Sequence, residues 1–208
     1  MSSNDTTKCG RRFVYIEGPP GAGKTTLINE LAKRLPKAQV IREYIDDDPN
    51  GPEMLKKYLN KEISSFDFQS YILTHFERKP IYGSLVFVER TPLEGIEVFA
   101  ALDYLERKAF SYSEFNRLLA RARMMKQYPI SAHPSIYLTE QLPIDELVDL
   151  VAKYIDTSSK QVIRVCLNPP VAVLRYNISC RNRPGEIESY TDDYLEWMNK
   201  RHKFLVKK

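Results

Sequence analysis

A three-layer α/β fold, with a mostly parallel sheet of about five strands flanked by helices, is the architecture this sequence predicts. Three observations carry that expectation. Short apolar runs rich in β-branched and aromatic residues alternate with longer stretches of helical periodicity. The runs are short enough for buried strands of a sheet covered on both faces. A Gly/Pro-rich turn joins the first strand to the first helix, Gly18 to Gly23.

Taken in order, Arg12 to Glu17 (RFVYIE) reads as the first strand. Lys24 to Leu35 has Leu27, Ile28, Leu31 and Leu35 at helical spacing and stops at Pro36. Ala38 to Arg42 is the second strand, and Asp46 to Gly51 (DDDPNG) is loop chemistry. Pro52 to Asn60 and Ser64 to Arg78 read as helices, and Leu85 to Glu89 (LVFVE) as the third strand. Pro92 to Lys108 and Ser113 to Tyr128 are long helical stretches. Ile136 to Leu138 and Val162 to Leu167 are β-like, with a helix, Ile144 to Ile155, between them. Tyr190 to Lys203 is the last helix. We expect one domain over residues 12–208, preceded by a flexible polar tail at 1–11.

At 208 residues the chain can bury one sizeable core. A formal charge of +4, without any run of five basic residues, argues against a dedicated nucleic-acid binder. No apolar run approaches a membrane span, and the first residues have no apolar signal region. Cys9, Cys166 and Cys180 form no CxxC pair, which suits reduced thiols in a cytoplasm-like compartment. His75, His133 and His202 share no metal-ligand spacing.

The segment Gly18-Pro19-Pro20-Gly21-Ala22-Gly23-Lys24-Thr25, followed by Thr26, matches the phosphate-loop pattern G-x-x-x-x-G-K-[ST] between a strand and a helix. Glycines let the backbone curl around phosphates, and its N–H groups with the helix N-terminus bind the anion. Lys24 would neutralise the outer phosphates, and the Thr25 hydroxyl would reach Mg²⁺. ATP with Mg²⁺ is therefore the expected cofactor pair. No guanine-reading NKxD segment is present, and the third strand ends in Glu89-Arg90-Thr91, a carboxylate and a guanidinium at the carboxyl edge of the sheet.

These residues resemble the deoxynucleoside kinase family, the thymidine- and deoxycytidine-kinase-like group that includes viral members. The resemblance lies in IEGPPGAGKTTL, in Glu43 after the second strand, in Tyr58 followed by Phe68-Gln69, and in Glu89-Arg90-Thr91 with Phe99 beyond. Arg181-Asn182-Arg183 with Glu186 is similar to the family's arginine-rich lid. It implies a fold of the P-loop kinase type and transfer of a phosphoryl group to the 5'-hydroxyl of a deoxynucleoside, thymidine first.

The resemblance also implies roles. Glu43 would be the general base at the 5'-hydroxyl. Gln69 would read the base edge, with Phe68 and Phe99 against the base, although aromatics at helical spacing also serve as plain core. Tyr58 and Glu186 would bind the sugar 3'-hydroxyl. Arg90 would stabilise the transferring group, Glu89 would contact Mg²⁺, and Arg181 and Arg183 would close over the phosphates. A homodimer formed through Pro92 to Lys108 and Ser113 to Tyr128 is implied as well, by analogy.

The sequence departs from the family pattern in three places. The Arg expected two turns after Gln69 falls near Phe76, with His75 and Arg78 beside it. Glu94 and Gly95 stand where the family often carries Asp after its Glu-Arg motif. With Val162 to Leu167 as the strand before the lid, residues 131–159 read as an insertion, and a final strand with an adenine loop is not obvious. Two rival readings stay open: a thymidylate-kinase-like enzyme using Arg42 or Arg78 for the acceptor's phosphate, and a nucleotide-binding switch without a small-molecule acceptor.

Overall fold

The computed structural model describes residues 10–130, 134–183 and 185–207. Five strands form one parallel sheet in the order β2-β3-β1-β5-β4. They are β1 (Arg12–Glu17), β2 (Gln39–Ile41), β3 (Leu85–Glu89), β4 (Ile136–Leu138) and β5 (Val162–Leu167). Register follows the alternation of side chains: Val14 pairs with Phe87 on one side and Ile163 on the other, and Ile16 with Glu89 and Val165.

Helices cover both faces, as a wholly parallel sheet requires. Helix α1 (Lys24–Arg34) and α8 (Ile144–Thr157) pack with Val14, Ile16, Ile163 and Val165 into one core layer. On the opposite face, α4 (Ser65–Arg78), α7 (Tyr112–Arg123) and the π-helical segment Gly95–Ala100 pack on Phe13, Tyr15, Val86 and Val88. The two layers take alternate residues of β1, which is the period-two rule of a strand. Four short helices, α2 (Tyr44–Asp47), α3 (Gly51–Leu59), α5 (Pro92–Glu94) and α6 (Ala101–Leu105), and the terminal trio α9 (Val171–Arg181), α10 (Glu186–Ser189) and α11 (Asp192–Lys207) gather at the carboxyl edge.

Three expectations are corrected. The residues around 131–159 are not an insertion, because β4 and α8 form an integral strand–helix unit whose strand pairs with β5. The chain runs out to the sheet edge at β4 first, then returns beside β1. The acidic stretch after β2 is not all loop: Tyr44–Asp47 makes a helical turn, and Gly51 already opens α3. The stretch Pro92 to Lys108 is not one regular helix either, since it carries the π segment and ends at Leu105. Of the predicted tail, residues 1–9, with Cys9, lie outside the described residues, as does His133, whereas Arg11 donates to Gly83 O at 3.0 Å. Among the described residues no helix is long and apolar enough to cross a membrane.

Candidate active site

The phosphate loop leaves β1 through backbone that a side chain cannot follow. Gly18 sits at φ +143°, and a Cβ there would meet Leu167 O at 2.2 Å. Gly21 sits at φ +79°, where a Cβ would meet Leu174 O at 2.6 Å. The loop thus fits against β5 and the lid helix α9 only with glycines. Asn177 of α9 fastens it further, donating to Gly21 O at 2.8 Å. Gly23 ends the loop in the left-handed region at φ 87° and starts α1, so the first N–H groups of an 11-residue helix face the loop.

Lys24 is buried, with Nζ 3.1 Å from Pro19 O and 3.7 Å from Glu43 Oε1. Burial, with Arg90 close by, lowers its pKa, and the surrounding carboxylates oppose that. Thr25 Oγ1 donates to Glu89 Oε1 at 2.5 Å, while Glu89 Oε2 is buried without a partner. Burial and Glu43 raise the Glu89 pKa. A hydroxyl and a buried, half-used carboxylate at the phosphate loop are hard oxygen donors, and a small set of them suits Mg²⁺, which keeps phosphates and water for its remaining positions.

Arg90 follows β3 in the left-handed region at φ 63°, a conformation that costs a non-glycine residue roughly 1–2 kcal/mol. Its contacts hold it there. Nε donates to Glu43 Oε1 at 2.6 Å, Nη1 donates to Glu94 Oε1 at 3.1 Å, and the guanidinium lies 4.0 Å over the Phe99 ring. Burial alone would raise the Glu43 carboxyl, but Arg90 and Lys24 overcome it and hold the group at about 2. Burial pushes Glu94 the other way, up to about 8, against the pull of Arg90. Glu94 Oε1 also accepts the Gly18 N–H at 2.9 Å, so it ties Arg90 to the phosphate loop.

Beyond Arg90 opens a pocket whose walls come from α2, α3, α4, the π segment and the lid. Every residue expected to bind substrate lines it: Glu43, Tyr58, Phe68, Gln69, Arg90, Phe99 and Glu186. Lys24, Arg181 and Arg183 line it too. Tyr58 and Phe68 stack at 4.2 Å with 5° between their planes, and Tyr44 stands edge-on to Phe68 at 5.6 Å. Gln69 is buried on α4 in the pocket wall, and its buried Oε1 has no partner. The Phe68 side chain therefore serves both core and wall.

The lid turn is set by Asn182 at φ 47°, which ends α9 between its flanking arginines. Arg181 Nε donates to Glu186 Oε2 at 2.6 Å. Arg183 reaches across to Asp46 Oδ1 of α2 at 2.6 Å. A second hollow lies behind the phosphate loop, lined by Gly21 to Thr26, Arg181 and Arg183 together with Glu140, Gln141, Tyr176 and Asn177. Lys24, Arg181 and Arg183 thus face both hollows, where a group passing between two ligands would lie.

Three candidates from the sequence lie elsewhere. His75 and Arg78 line a separate surface hollow with Asp47, Lys79 and Pro80, and only Phe76 of that stretch reaches the pocket. Arg42 is bonded to Asn29 Oδ1 at 2.6 Å on the exposed side. Sequence reasoning missed Tyr44, Arg107, Tyr190 and Tyr194, all of which line the pocket, and the buried Asp103 behind Tyr58. A readable signal existed for one of these: an Asp inside an apolar helix, four residues before Arg107, is a charge that needs a specific partner.

Residues 14–148 match the deoxynucleoside kinase family, more than half of the chain and all of the acceptor-pocket elements except the lid and α11. The chain is 24% identical over 197 residues to a deoxyguanosine kinase of Bacillus subtilis, covering 94% of this chain and 78% of that one. A match at 30% identity over 90 residues to midasin of Dictyostelium discoideum spans 43% of this chain and only 2% of midasin. Among solved structures, deoxyadenosine kinase from M. mycoides with bound dATP superposes with a TM-score of 0.57 at 19% identity, over 94% of this chain and 84% of that one. The same enzyme with dCMP and dCDP gives 0.59 at 18% identity, over 94% and 83%. With its phosphate loop, its glutamate–arginine pair and its lid gathered around adjoining hollows, this chain belongs to the deoxynucleoside kinase family and is a phosphotransferase.

Proposed function

We propose that the chain moves the γ-phosphoryl group of ATP to the 5'-hydroxyl of a deoxynucleoside held in the Tyr58–Gln69–Phe99 pocket. One observation carries this reading: Glu43 and Lys24 sit 3.7 Å apart at the junction of that pocket with the phosphate-loop hollow. A hydroxyl delivered to Glu43 would meet the phosphate that Lys24 neutralises, so positioning and charge neutralisation supply most of the acceleration. A carboxyl held at about 2 is a weak base, so it takes the proton only as the attacking oxygen bonds to phosphorus.

Thr25 and Glu89 would hold Mg²⁺, which when bound neutralises charge on the β- and γ-phosphates. Arg90, Arg181 and Arg183 bring donors to the oxygens on which charge gathers. Phe68 and Phe99 flank the base, Gln69 pairs with its edge, and Tyr58 with Glu186 faces the sugar 3'-hydroxyl. Thymidine is the acceptor we propose first, with other deoxynucleosides also taken. Gln69 offers an acceptor and two donors, which complement the N3–H and a carbonyl of thymine.

Arg42 and Arg78, either of which could have served a monophosphate acceptor, do not line this pocket, which favours a nucleoside over a nucleoside monophosphate. A pairing of two copies would fall to α7, where Tyr112 and Met124 at its ends are exposed, because Ile96, Val98, Ala100 and Ala101 are already buried against the rest of the chain. Steady-state ADP release with each deoxynucleoside tests the proposal. Acceptor-dependent turnover is expected, and its absence with all of them would overturn the reading.

A further inference from the structure

We infer that His202 is a positioning residue for the transfer: from α11 it accepts a hydrogen bond from a protonated Glu94, so that Arg90 keeps an uncancelled charge at the junction of the two hollows. The inference rests on the reading above for what Arg90 does, and it adds a proton on which the transfer depends and which neither substrate supplies.

Glu94 and His202 are both buried, and His202 Nε2 lies 3.5 Å from Glu94 Oε1. That oxygen already accepts the Gly18 N–H at 2.9 Å and an Arg90 Nη1–H at 3.1 Å, so its lone pairs are taken. Two buried atoms are left without a hydrogen-bond partner, Glu94 Oε2 and His202 Nε2. An ionised Glu94 beside a bare imidazole nitrogen would set two acceptors together and satisfy neither. A proton on Oε2 makes one of them a donor and the other its acceptor, directly or through one water in the hollow that both residues line.

The rival arrangement is an ion pair between a charged His202 and an ionised Glu94. Burial and three cations, Arg90, Lys24 and Arg164, push the imidazole well below its ordinary range, so it stays neutral. Burial pushes Glu94 the other way, up to about 8. The other ring nitrogen, Nδ1, lies 4.0 Å from the sulfur of Cys166, which burial keeps as a thiol.

The neighbouring groups leave the proton to His202. Glu17 of β1 is engaged through both oxygens, accepting from Thr91 at 2.8 Å and from Arg164 of β5 at 2.6 Å. Glu97 of the π segment pairs with Arg123 of α7 at 3.4 Å. Tyr15 and Tyr128 donate to the carbonyls of Pro129 and Phe76. The Lys24 ammonium and the guanidinium groups of Arg90, Arg164 and Arg201 have only donors. With Glu94 neutral, Arg90 faces one carboxylate, Glu43, rather than two, and its charge is left for the transferring phosphoryl group. Loss of that proton as pH rises would cancel the guanidinium and slow the transfer.

The test follows the proton in two ways on the wild type, His202→Phe, Glu94→Gln and the double variant. One is the pH dependence of kcat with ATP, Mg²⁺ and the preferred deoxynucleoside at saturation. The other is infrared difference spectroscopy of the buried carboxylic-acid C=O stretch, which needs no turnover. In the wild type kcat should fall about tenfold per pH unit above about 8, and the acid band should vanish over the same range. His202→Phe fills the site without an acceptor and removes the bond that favours the acid form. Both midpoints should therefore move down by about one pH unit, with the acceptor's KM little changed. Glu94→Gln should lose the band and the alkaline limb, and adding His202→Phe to it should shift nothing further. A packing role for His202 would instead lower kcat by the same factor at every pH and in both backgrounds. His202→Leu replaces His202→Phe if the larger ring prevents folding. Midpoints that stay at the wild-type value in these variants, or a wild type without the acid band at neutral pH, overturn the inference while the acceptor reading stands. Absence of turnover on every deoxynucleoside overturns that reading and the role given to Arg90, and the infrared midpoints still decide whether His202 holds the proton.

Discussion

Arg90 donates from Nε to Glu43 Oε1 at 2.6 Å, and this contact joins the end of β3 to the entry of the acceptor pocket. It does so from a left-handed backbone position, so the chain accepts local strain to place the guanidinium there. The same side chain reaches Glu94, which holds the first N–H of the phosphate loop. Acceptor pocket and phosphate loop are therefore linked through one arginine.

Replacing Glu43 by Gln keeps the shape of this junction and removes its charge. We expect kcat to fall by about 10²–10⁴, the range of general-base contributions, with a much smaller change in the acceptor's KM. Because Arg90 and Lys24 hold the Glu43 carboxyl at about 2, it is ionised throughout the neutral and mildly acid range. A pH–rate profile should therefore show no limb from Glu43 above about pH 4. Comparing the profiles of wild type and variant checks both statements.

Glu94 shapes stability in the opposite sense. Its folded-state pKa, about 8, lies above the ordinary 4.5, so the folded chain binds more protons than the unfolded chain between those values. Its contribution is complete below pH 4.5 and is lost as pH rises through 8. Glu94→Gln should flatten the fall in Tm between about pH 5 and pH 8, read by thermal unfolding across that window.

Two glycines of the loop separate sterics from backbone preference. Gly18→Ala puts a Cβ 2.2 Å from Leu167 O, a backbone atom that cannot yield without moving β5. We expect a loss of about 2–4 kcal/mol or failure to fold. Gly23→Ala meets nothing within 4 Å and carries only the left-handed penalty, about 1 kcal/mol. Denaturant unfolding of the two variants gives the ordering directly.

Thr25→Val removes the hydroxyl beside Glu89 and leaves the helix intact. The Mg²⁺ concentration for half-maximal turnover should rise by about tenfold or more, since one hard oxygen ligand is lost and Glu89 stays buried without its donor. A Mg²⁺ titration of turnover at fixed ATP measures this.

Much of the arrangement was legible in the sequence. The phosphate loop and the Glu89-Arg90 step announced themselves by residue type at the end of a strand, whereas Glu43 and the Phe68-Gln69 pair were marked by the resemblance to the family; the loop, Glu43, Phe68, Gln69 and Arg90 line adjoining hollows. The order of the last strands was not legible. Ile136–Leu138 and Val162–Leu167 carry the same local signal, and only tertiary pairing makes the earlier one the edge and the later one the neighbour of β1. The contact of Tyr58 with Asp103 was hidden because the two lie 45 residues apart, and nothing in a strand or helix pattern pairs α3 with α6. Arg78 misled for the reciprocal reason. The sequence offered it as a cation for an acceptor's phosphate, but α4 places Phe76 at the pocket and Arg78 in a separate hollow.

The central claim is that a nucleoside 5'-hydroxyl is delivered to Glu43 beside Lys24. ADP release with ATP and Mg²⁺, measured across the four deoxynucleosides and their four monophosphates, with Glu43→Gln in parallel, tests it most directly. The account predicts turnover on at least one nucleoside, thymidine first, that Glu43→Gln abolishes. Turnover on monophosphates alone, or ATP hydrolysis indifferent to every acceptor, would contradict it.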